Sequence, residues 1–267
     1  MSSDGMLRIQ SMKRCRLLPF MFLLLLLAAC SSGTASQPAS TSTMSPTPTQ
    51  GITPTPTIPD VPSRLVHFLT SDHVQLAGQL YGHGKTIVIC SHELHSTKVI
   101  WSLSGIAQRL ATHGYQVLAY DFRGNGDSSG PYDLTKMDVD LRAAIAFARQ
   151  QGATKIVLLG SSMGGTTTLK VAASEQVAAV ITLSAPEAFL TNVDAEVKAI
   201  SAPKLFINSQ NDDYAAETMH MYTLASPPKE IHMYPGGAHG TEIFYGDYGD
   251  DLTKRILNFV AHYAPVG

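Results

Sequence analysis

The stretch "KIVLLGSSMGG", residues 155–165, decides the predicted fold. Its apolar half predicts a buried strand, and the "TTTLKVAAS" that follows predicts a helix over residues 163–175. A serine in a G-x-S-x-G pattern between a strand and a helix lies on a sharp turn that exposes its hydroxyl. The stretch therefore indicates either a nucleophilic serine or an ordinary glycine-rich turn without chemistry.

Two serines compete for this position, and the spacing of the glycines selects one of them. The positions two before and two after Ser162 are Gly160 and Gly164, whereas those around Ser161 are a leucine and a methionine. A tight turn has little room for side chains at these flanking positions. Ser162 is therefore the predicted nucleophile, and Ser161 is predicted to be a small neighbour that lines the turn.

Strand-like and helical stretches alternate on both sides of this turn. Strands are predicted near residues 64–69, 74–81, 86–91, 116–121, 155–160, 177–184, 204–209 and 230–235. Helices are predicted over residues 101–114, 137–152, 163–175, 215–225 and 249–263. The first two strands look like a hairpin, and the middle strands lack polar alternation, as parallel strands covered by helices on both faces do. The sequence predicts an α/β domain with a doubly wound, mostly parallel sheet and an N-terminal antiparallel hairpin.

The chemistry of such a sheet is expected at the carboxyl ends of its strands. A serine hydroxyl needs a base there, and the base needs an acid to orient it. "QNDDY" (210–214) and "GGAHG" (236–240) each follow a predicted strand. They supply Asp212 or Asp213 as the acid and His239 as the base, in the chain order nucleophile, acid, histidine.

Residues 64–267 resemble the α/β-hydrolase superfamily, and among its members the small esterase- or lipase-like ones. "GGAHG" is similar to the histidine loop of that family, and "FINSQNDDY" (206–214) is similar to its acid turn. The resemblance favours Asp212 as the acid, because Asp213 falls where the family often has proline. "YDFRGNGDSSG" (120–130) resembles the turn after a core strand, in which Asp121 and Arg123 are expected to organise loops. Only 19 residues, 185–203, occupy the place of the family's lid, so no large cap domain is expected.

The resemblance also implies an oxyanion hole built from two backbone N–H groups. One belongs to Met163, the residue after the nucleophile, and the other is inferred to belong to Leu94 in "CSHELHST" (90–97). In this register Trp101 takes a position where the family often has an aromatic residue. Glu93, however, replaces the glycine that usually follows the family's histidine, here His92. A carboxylate near a developing negative charge could hinder catalysis unless it turns away.

Neither a metal nor a cofactor is expected at this site. "HELH" (92–95) has its histidines at i and i+3 on a predicted loop, whereas the zinc motif needs them at i and i+4 on a helix. Serine hydrolysis by a nucleophile, acid and histidine needs no cofactor. Cys90 lies within a predicted buried strand and is expected to pack as a small apolar group.

The N-terminal part of the chain predicts export. Residues 1–29 combine Lys13, Arg14 and Arg16 with a 13-residue apolar run, which is typical of a signal peptide and too short for a membrane span. The run ends in "LAAC" (27–30), which resembles a bacterial lipobox with Cys30 as the lipidated residue. The alternative is ordinary secretion. Residues 30–62 are rich in Ser, Thr and Pro and predict a tether, and residues 63–267 form the predicted hydrolase domain.

The charge of that domain excludes one class of partner. It contains 15 Lys and Arg against 19 Asp and Glu, without a basic patch that would indicate nucleic-acid binding. The expected partners are a small ester or acyl substrate and, through the lipid anchor, a membrane. The sequence thus predicts a membrane-anchored serine hydrolase that cleaves carboxylic esters. A serine peptidase or amidase on the same fold and an inactive hydrolase fold used for binding are the alternatives.

Overall fold

The computed structural model describes residues 57–267. The predicted signal peptide, Cys30 and the tether up to residue 56 lie outside the described residues. Within residues 57–267 the strands are β1 (Ser63–Leu69), β2 (Gln75–Tyr81), β3 (Thr86–Ser91), β4 (Gln116–Tyr120), β5 (Lys155–Ser161), β6 (Ala179–Leu183), β7 (Ala188–Phe189), β8 (Thr191–Asn192), β9 (Lys204–Ser209) and β10 (Lys229–Tyr234).

The helices of the same region alternate with these strands. They are α1 (Val99–Leu103), α2 (Ile106–Thr112), α3 (Met137–Gln150), α4 (Met163–Ala172), α5 (Asp194–Ala199), α6 (Ala215–Leu224) and α7 (Gly249–Tyr263). Short 3₁₀ turns cover Leu134–Lys136 and Gly240–Tyr245. Within residues 57–267, none of the helices is both long and apolar enough to cross a membrane.

One sheet of eight strands organises the domain, in the order β1-β2-β4-β3-β5-β6-β9-β10. The pairs β1–β2 and β2–β4 are antiparallel, and every other pair in this sheet is parallel. This architecture confirms the predicted doubly wound, mostly parallel sheet with an N-terminal antiparallel hairpin. The carboxyl ends of β3, β5, β6, β9 and β10 therefore meet at one edge.

The central strands lack polar alternation because helices cover both faces of the sheet. Every residue of β3, β6 and β9 is buried, as is all of β5 except Lys155. Apolar side chains pack on both faces: Ile89 and Leu158 belong to one cluster, while Val88 and Val157 belong to the other. Two packed faces make this sheet a rigid base for loops at its edge.

The structure corrects one predicted helix. Residues 101–114 were expected to form a single helix, but α1 and α2 are separate and meet at Gly105. Gly105 has a φ of 74°, a left-handed conformation that interrupts the helical hydrogen bonds. The segment 185–203 holds only the two-residue strands of the β7–β8 hairpin and the six-residue helix α5, so the expected absence of a large cap is confirmed.

Candidate active site

Ser162 occupies the sharp turn between β5 and α4. Its φ of 49° and ψ of −121° lie in a region that side-chain-bearing residues rarely adopt, so the turn stores backbone strain. The Ser162 N–H donates to the carbonyl of Leu183 at 2.8 Å, and the Ser162 carbonyl accepts from the N–H of Thr166 at 3.1 Å. Strand and helix thus hold the serine in a strained conformation, an arrangement that recurs at functional sites.

The glycines around Ser162 are required by close approach of backbone. A Cβ added to Gly160 would collide with the carbonyl of Gly164. A Cβ added to Gly164 would collide with the carbonyls of Ser91 and His92 at the end of β3. The turn therefore lies directly against the β3 loop, which places Met163 and the 92–94 segment next to each other.

The structure brings Asp212 and His239 together. His239 Nδ1 lies 2.6 Å from Asp212 Oδ2, so the ring donates this hydrogen bond to the carboxylate and leaves Nε2 free to accept a proton. The other oxygen, Asp212 Oδ1, accepts from the N–H of Tyr214 at 2.8 Å. Asp212 is buried, whereas Asp213 is exposed. Of the two neighbouring aspartates, only Asp212 orients the histidine.

Several hydrogen bonds fix the loop that carries His239. Gly240 donates its N–H to Ser184 Oγ at 2.9 Å, and Ser209 Oγ donates to the carbonyl of Ala238 at 2.7 Å. A Cβ added to Gly240 would collide with Ser161 Oγ, so this loop touches the serine turn. The hydrogen bonds of residues 57–267 do not include one between Ser162 and His239. Such bonds are often long before substrate binds and tighten in the reacting complex.

Among residues 57–267, the N–H groups of the two inferred oxyanion donors have no backbone acceptor. Met163 is the first residue of α4, where a helix leaves its N–H without an intrahelical acceptor. The Leu94 N–H lies in the loop after β3, and within the part of the chain that the structure describes it meets no acceptor. These groups and the positive end of the α4 dipole favour negative charge beside Ser162.

Glu93, which replaces the family's glycine, has its carboxylate hydrogen-bonded to Ser161 and Thr241. Its Oε2 accepts from Ser161 Oγ at 2.5 Å and from the N–H of Thr241 at 3.2 Å. Its Oε1 accepts from Thr241 Oγ1 at 3.0 Å. Burial raises the pKa of Tyr245, and the nearby charge of Glu93 adds to that rise. The sequence indicated Ser161 only as a small neighbour, and no local pattern identified Thr241.

His92 is a buried structural residue of the same loop. The Phe122 N–H donates to His92 Nε2 at 3.1 Å, and the ring Nδ1 lies 2.8 Å from the carbonyl of Glu93. An Nε2 that accepts leaves Nδ1 as the donor, which defines one neutral tautomer. Burial lowers the pKa of His92 because desolvation disfavours the charged ring. Both nitrogens are engaged within the chain, so His92 holds the loop shape rather than a metal.

Asp121 and Arg123 organise loops, as their motif suggested. Asp121 accepts from the N–H and Nζ of Lys98, at 2.7 and 2.6 Å. Arg123 pairs with Asp140 at 2.7 Å and with Asp72 at 2.7 Å. The Arg123 pairs, one with the buried Asp140 and one with the exposed Asp72, connect the β1–β2 turn, the loop after β4 and α3.

Two other features with reactive or ligand-type side chains, an acidic cluster with a histidine and a cysteine, lie outside the candidate site. The side chains of Glu187, Asp194 and His220 bring ligand-type atoms within 4.8 Å of one another, in the short segment before β9 and on α6. Contacts within the chain already involve them, since Glu187 accepts from Asn192 and His220 lies 3.8 Å from Asp194. Cys90 is fully buried, and burial raises the pKa of its thiol, so it packs as an apolar group.

With this fold and geometry, the comparison with protein families identifies the class of protein. The chain belongs to the family described as the alpha/beta hydrolase fold, whose model matches residues 85–218. The matched range includes Ser162, Asp212 and the loop from His92 to Leu94. It establishes the hydrolase family and does not assign a substrate.

Curated relatives share part or most of the chain. The quorum-quenching protein AidA of Acinetobacter baumannii (strain MDR-ZJ06) is 34% identical over 103 residues, which are 36% of this chain and 34% of that protein. The chain therefore matches about a third of that relative's length. An uncharacterized protein of Mycobacterium tuberculosis (strain CDC 1551 / Oshkosh) is 25% identical over 283 aligned residues, covering 94% of this chain and 98% of that protein.

Solved structures of esterases share the fold. The esterase Pf2001 of Pyrococcus furiosus superposes with a TM-score of 0.69 at 20% identity, covering 76% of this chain and 93% of that one. An esterase of Rhodococcus sp. ECU1013 superposes with a TM-score of 0.64 at 17% identity, covering 75% and 99%. At these identities the likeness concerns the arrangement of strands and helices.

Proposed function

We propose that the protein is a serine hydrolase that cleaves carboxylic esters through an acyl-enzyme intermediate. The observation that carries the proposal is the 2.6 Å hydrogen bond between Asp212 and His239, in a loop that touches the strained Ser162 turn. The esterase neighbours support the same reaction class. The substrate is a small ester, and the chemistry needs no cofactor.

The proposed mechanism gives each group of the candidate site a defined role. Ser162 Oγ attacks the ester carbonyl while His239 Nε2 takes its proton, and Asp212 stabilises the imidazolium that forms. The N–H groups of Met163 and Leu94 bind the oxyanion. His239 then protonates the leaving alcohol, and afterwards it activates the water that releases the acyl group.

The short segment 185–203 favours an open site for short acyl chains. It contains no large cap, and the His239 side chain is 33% exposed. Hydrolysis of a soluble short-chain ester should therefore not increase sharply above the micellar concentration of the substrate.

Matched ester and amide substrates distinguish an esterase from a peptidase or amidase on the same fold.

The direct test is labelling with a fluorophosphonate probe. We expect the full-length protein to be labelled at Ser162 and to hydrolyse a short-chain nitrophenyl ester. Ser162→Ala should lose labelling and at least about 10³-fold of kcat, because it removes the attacking hydroxyl and the neighbouring Ser161 hydroxyl is hydrogen-bonded to Glu93. A folded wild type that is neither labelled nor active would instead indicate an inactive hydrolase fold used for binding.

The proposed location is a membrane, at the cell surface or on its periplasmic face, through a lipid on Cys30. This part rests on the "LAAC" sequence and the Ser/Thr/Pro-rich residues 30–62. Two or three acyl chains suffice for stable anchoring, since each buried CH₂ contributes about 0.8 kcal/mol. In cells fed a labelled fatty acid, the wild type should carry label in the membrane fraction. Cys30→Ser should lose both label and sedimentation, and an unlabelled wild type would favour simple secretion.

A further inference from the structure

We propose that Glu93 is a positioning residue that joins the oxyanion loop to the serine turn and to the histidine loop. The inference rests on the proposed function and extends it to a residue that departs from the family pattern. Glu93 does not contact the reacting atoms in this role. It acts through the three loops that its carboxylate holds together.

The contacts of Glu93 reach both sides of the proposed catalytic pair. Ser161, which donates to Oε2 at 2.5 Å, directly precedes Ser162. Thr241, which donates its N–H and its hydroxyl to the two carboxylate oxygens, lies two residues after His239. Glu93 itself directly precedes Leu94, the inferred oxyanion donor. One side chain therefore connects the neighbours of nucleophile, base and donor.

Gly240 supplies independent evidence that this contact is built into the fold. Its φ is 55°, and a Cβ at this position would lie 2.5 Å from Glu93 Oε2 and would also collide with Ser161 Oγ. A residue without a side chain thus leaves the space in which the carboxylate meets its partners. A glycine in place of Glu93 would leave this space empty and Thr241 Oγ1 without its acceptor.

The arrangement also explains how a carboxylate is tolerated beside an oxyanion site. Three hydrogen-bond donors surround the charge and direct it toward Ser161 and Thr241, and hydrogen bonds to an ionised group are the stronger kind. Catalysis depends on the relative placement of groups from separate loops, and an error of about 1 Å can cost about 100-fold in rate. Glu93 should therefore affect kcat more than KM.

The experiment compares variants of the full-length protein on a short-chain nitrophenyl ester. We expect Glu93→Gly to lower kcat about 10- to 100-fold with little change in KM. Glu93→Gln, which keeps the shape and loses the charge, should fall between Glu93→Gly and the wild type. A boronic-acid inhibitor mimics the tetrahedral intermediate. Both Glu93 variants should bind this inhibitor less tightly, in proportion to their loss of kcat. Glu230→Gln removes an exposed carboxylate of β10 as the matched control.

A double-mutant comparison tests the connection to the histidine loop. Thr241→Val removes the hydroxyl donor and should lower kcat, and combining it with Glu93→Gln should cost less than the product of the two single losses. Thermal unfolding of each variant distinguishes a misfolded protein from a folded one whose catalytic groups are displaced. If Glu93→Gly does not fold, Glu93→Gln and Thr241→Val provide the test.

Several outcomes would overturn the inference. An unchanged or higher kcat for Glu93→Gly would show that the carboxylate is idle or inhibitory. Fully multiplicative effects of Glu93→Gln and Thr241→Val would show that the two residues do not act together. Failure of the proposed function has a different signature, a wild type that neither hydrolyses the ester nor is labelled at Ser162, and it would refute this inference as well.

Discussion

At the scale of single residues, the candidate site depends on groups held in conformations that cost free energy. Ser162 and Ser184 are both non-glycine residues with positive φ, at 49° and 47°. Ser184 donates to Asn208 Oδ1 at 2.6 Å and accepts from the Gly240 N–H. Strained residues of this kind persist only where surrounding contacts determine them, which is typical of sites of function.

Replacing the acid tests the assignment of Asp212 over its neighbour. Asp212→Asn should keep the fold but lower kcat by about 10⁴-fold, because an amide favours the wrong tautomer of His239. Asp213→Asn, at the adjacent exposed position, should leave kcat close to that of the wild type. Steady-state kinetics on the same ester decides between them, and equal effects of the two substitutions would contradict the assignment.

The buried His92 should make stability depend on pH. Its pKa is lowered in the folded protein, so the unfolded chain binds more protons below the unfolded pKa of about 6.5. The contribution of the neutral ring is complete above about pH 6.5 and is lost as the pH falls toward the folded pKa. His92→Gln, which keeps an acceptor for the Phe122 N–H, should reduce the fall in unfolding free energy between neutral pH and pH 5.

Urea unfolding at both pH values measures this difference. His262→Gln, at an exposed position of α7, is the matched control and should leave the pH dependence as in the wild type. A His92→Gln variant whose stability falls with acid as steeply as that of the wild type would contradict the expectation.

At the scale of elements, the β5–α4 unit is defined by how closely backbone approaches backbone. Gly164 packs against the end of β3, and Gly165 packs against Ala185 after β6. The strand, the turn and the helix therefore fit together only when these positions lack side chains. This close contact brings the first turn of α4 to the loop of Leu94.

Adding one methyl group should show how tight this contact is. Gly164→Ala should lower the unfolding free energy by at least about 2 kcal/mol, because rigid carbonyl groups rather than flexible side chains oppose the new Cβ. Gly246→Ala places the same group in open space and should have little effect. Chemical denaturation of both variants measures the difference, and equal stabilities would show that the β3 loop yields easily.

At the scale of the whole molecule, the buried guanidinium of Arg123 connects the edge of the sheet to α3. Arg123, after β4, contacts Asp140 on α3 with Nε and Nη2 and contacts Asp72 in the β1–β2 turn with Nη1. Asp140 is fully buried, and desolvation raises its pKa while Arg123 opposes that rise. The pairing holds the ionised carboxylate inside the protein.

Removing the cation should therefore destabilise the domain strongly. Arg123→Met leaves Asp140 buried without its partner and should cost about 3–5 kcal/mol of unfolding free energy. Arg142→Met breaks a half-exposed pair with Glu175 and should cost less than about 1 kcal/mol. The two values come from urea unfolding at neutral pH, and comparable losses would mean that the buried network contributes no more than a surface pair.

Local sequence patterns determined most of the fold. Apolar runs without polar alternation predicted the parallel strands, because helices cover both faces of the sheet. The glycines flanking Ser162 predicted the strand-to-helix turn, because the requirement for glycine is local. The one misplaced helix, residues 101–114, contained Gly105, whose left-handed φ separates α1 from α2.

Tertiary structure decided what depends on contacts distant in sequence. Glu93 lies 68 residues before Ser161 and 148 before Thr241, so no local pattern specifies where its carboxylate points. The sequence identified Glu93 as a departure from the glycine of its family, and folding directs its charge onto two hydroxyls and an N–H. A local pattern fixes backbone conformation, whereas the direction of a charged side chain is fixed by the donors that the fold brings to it.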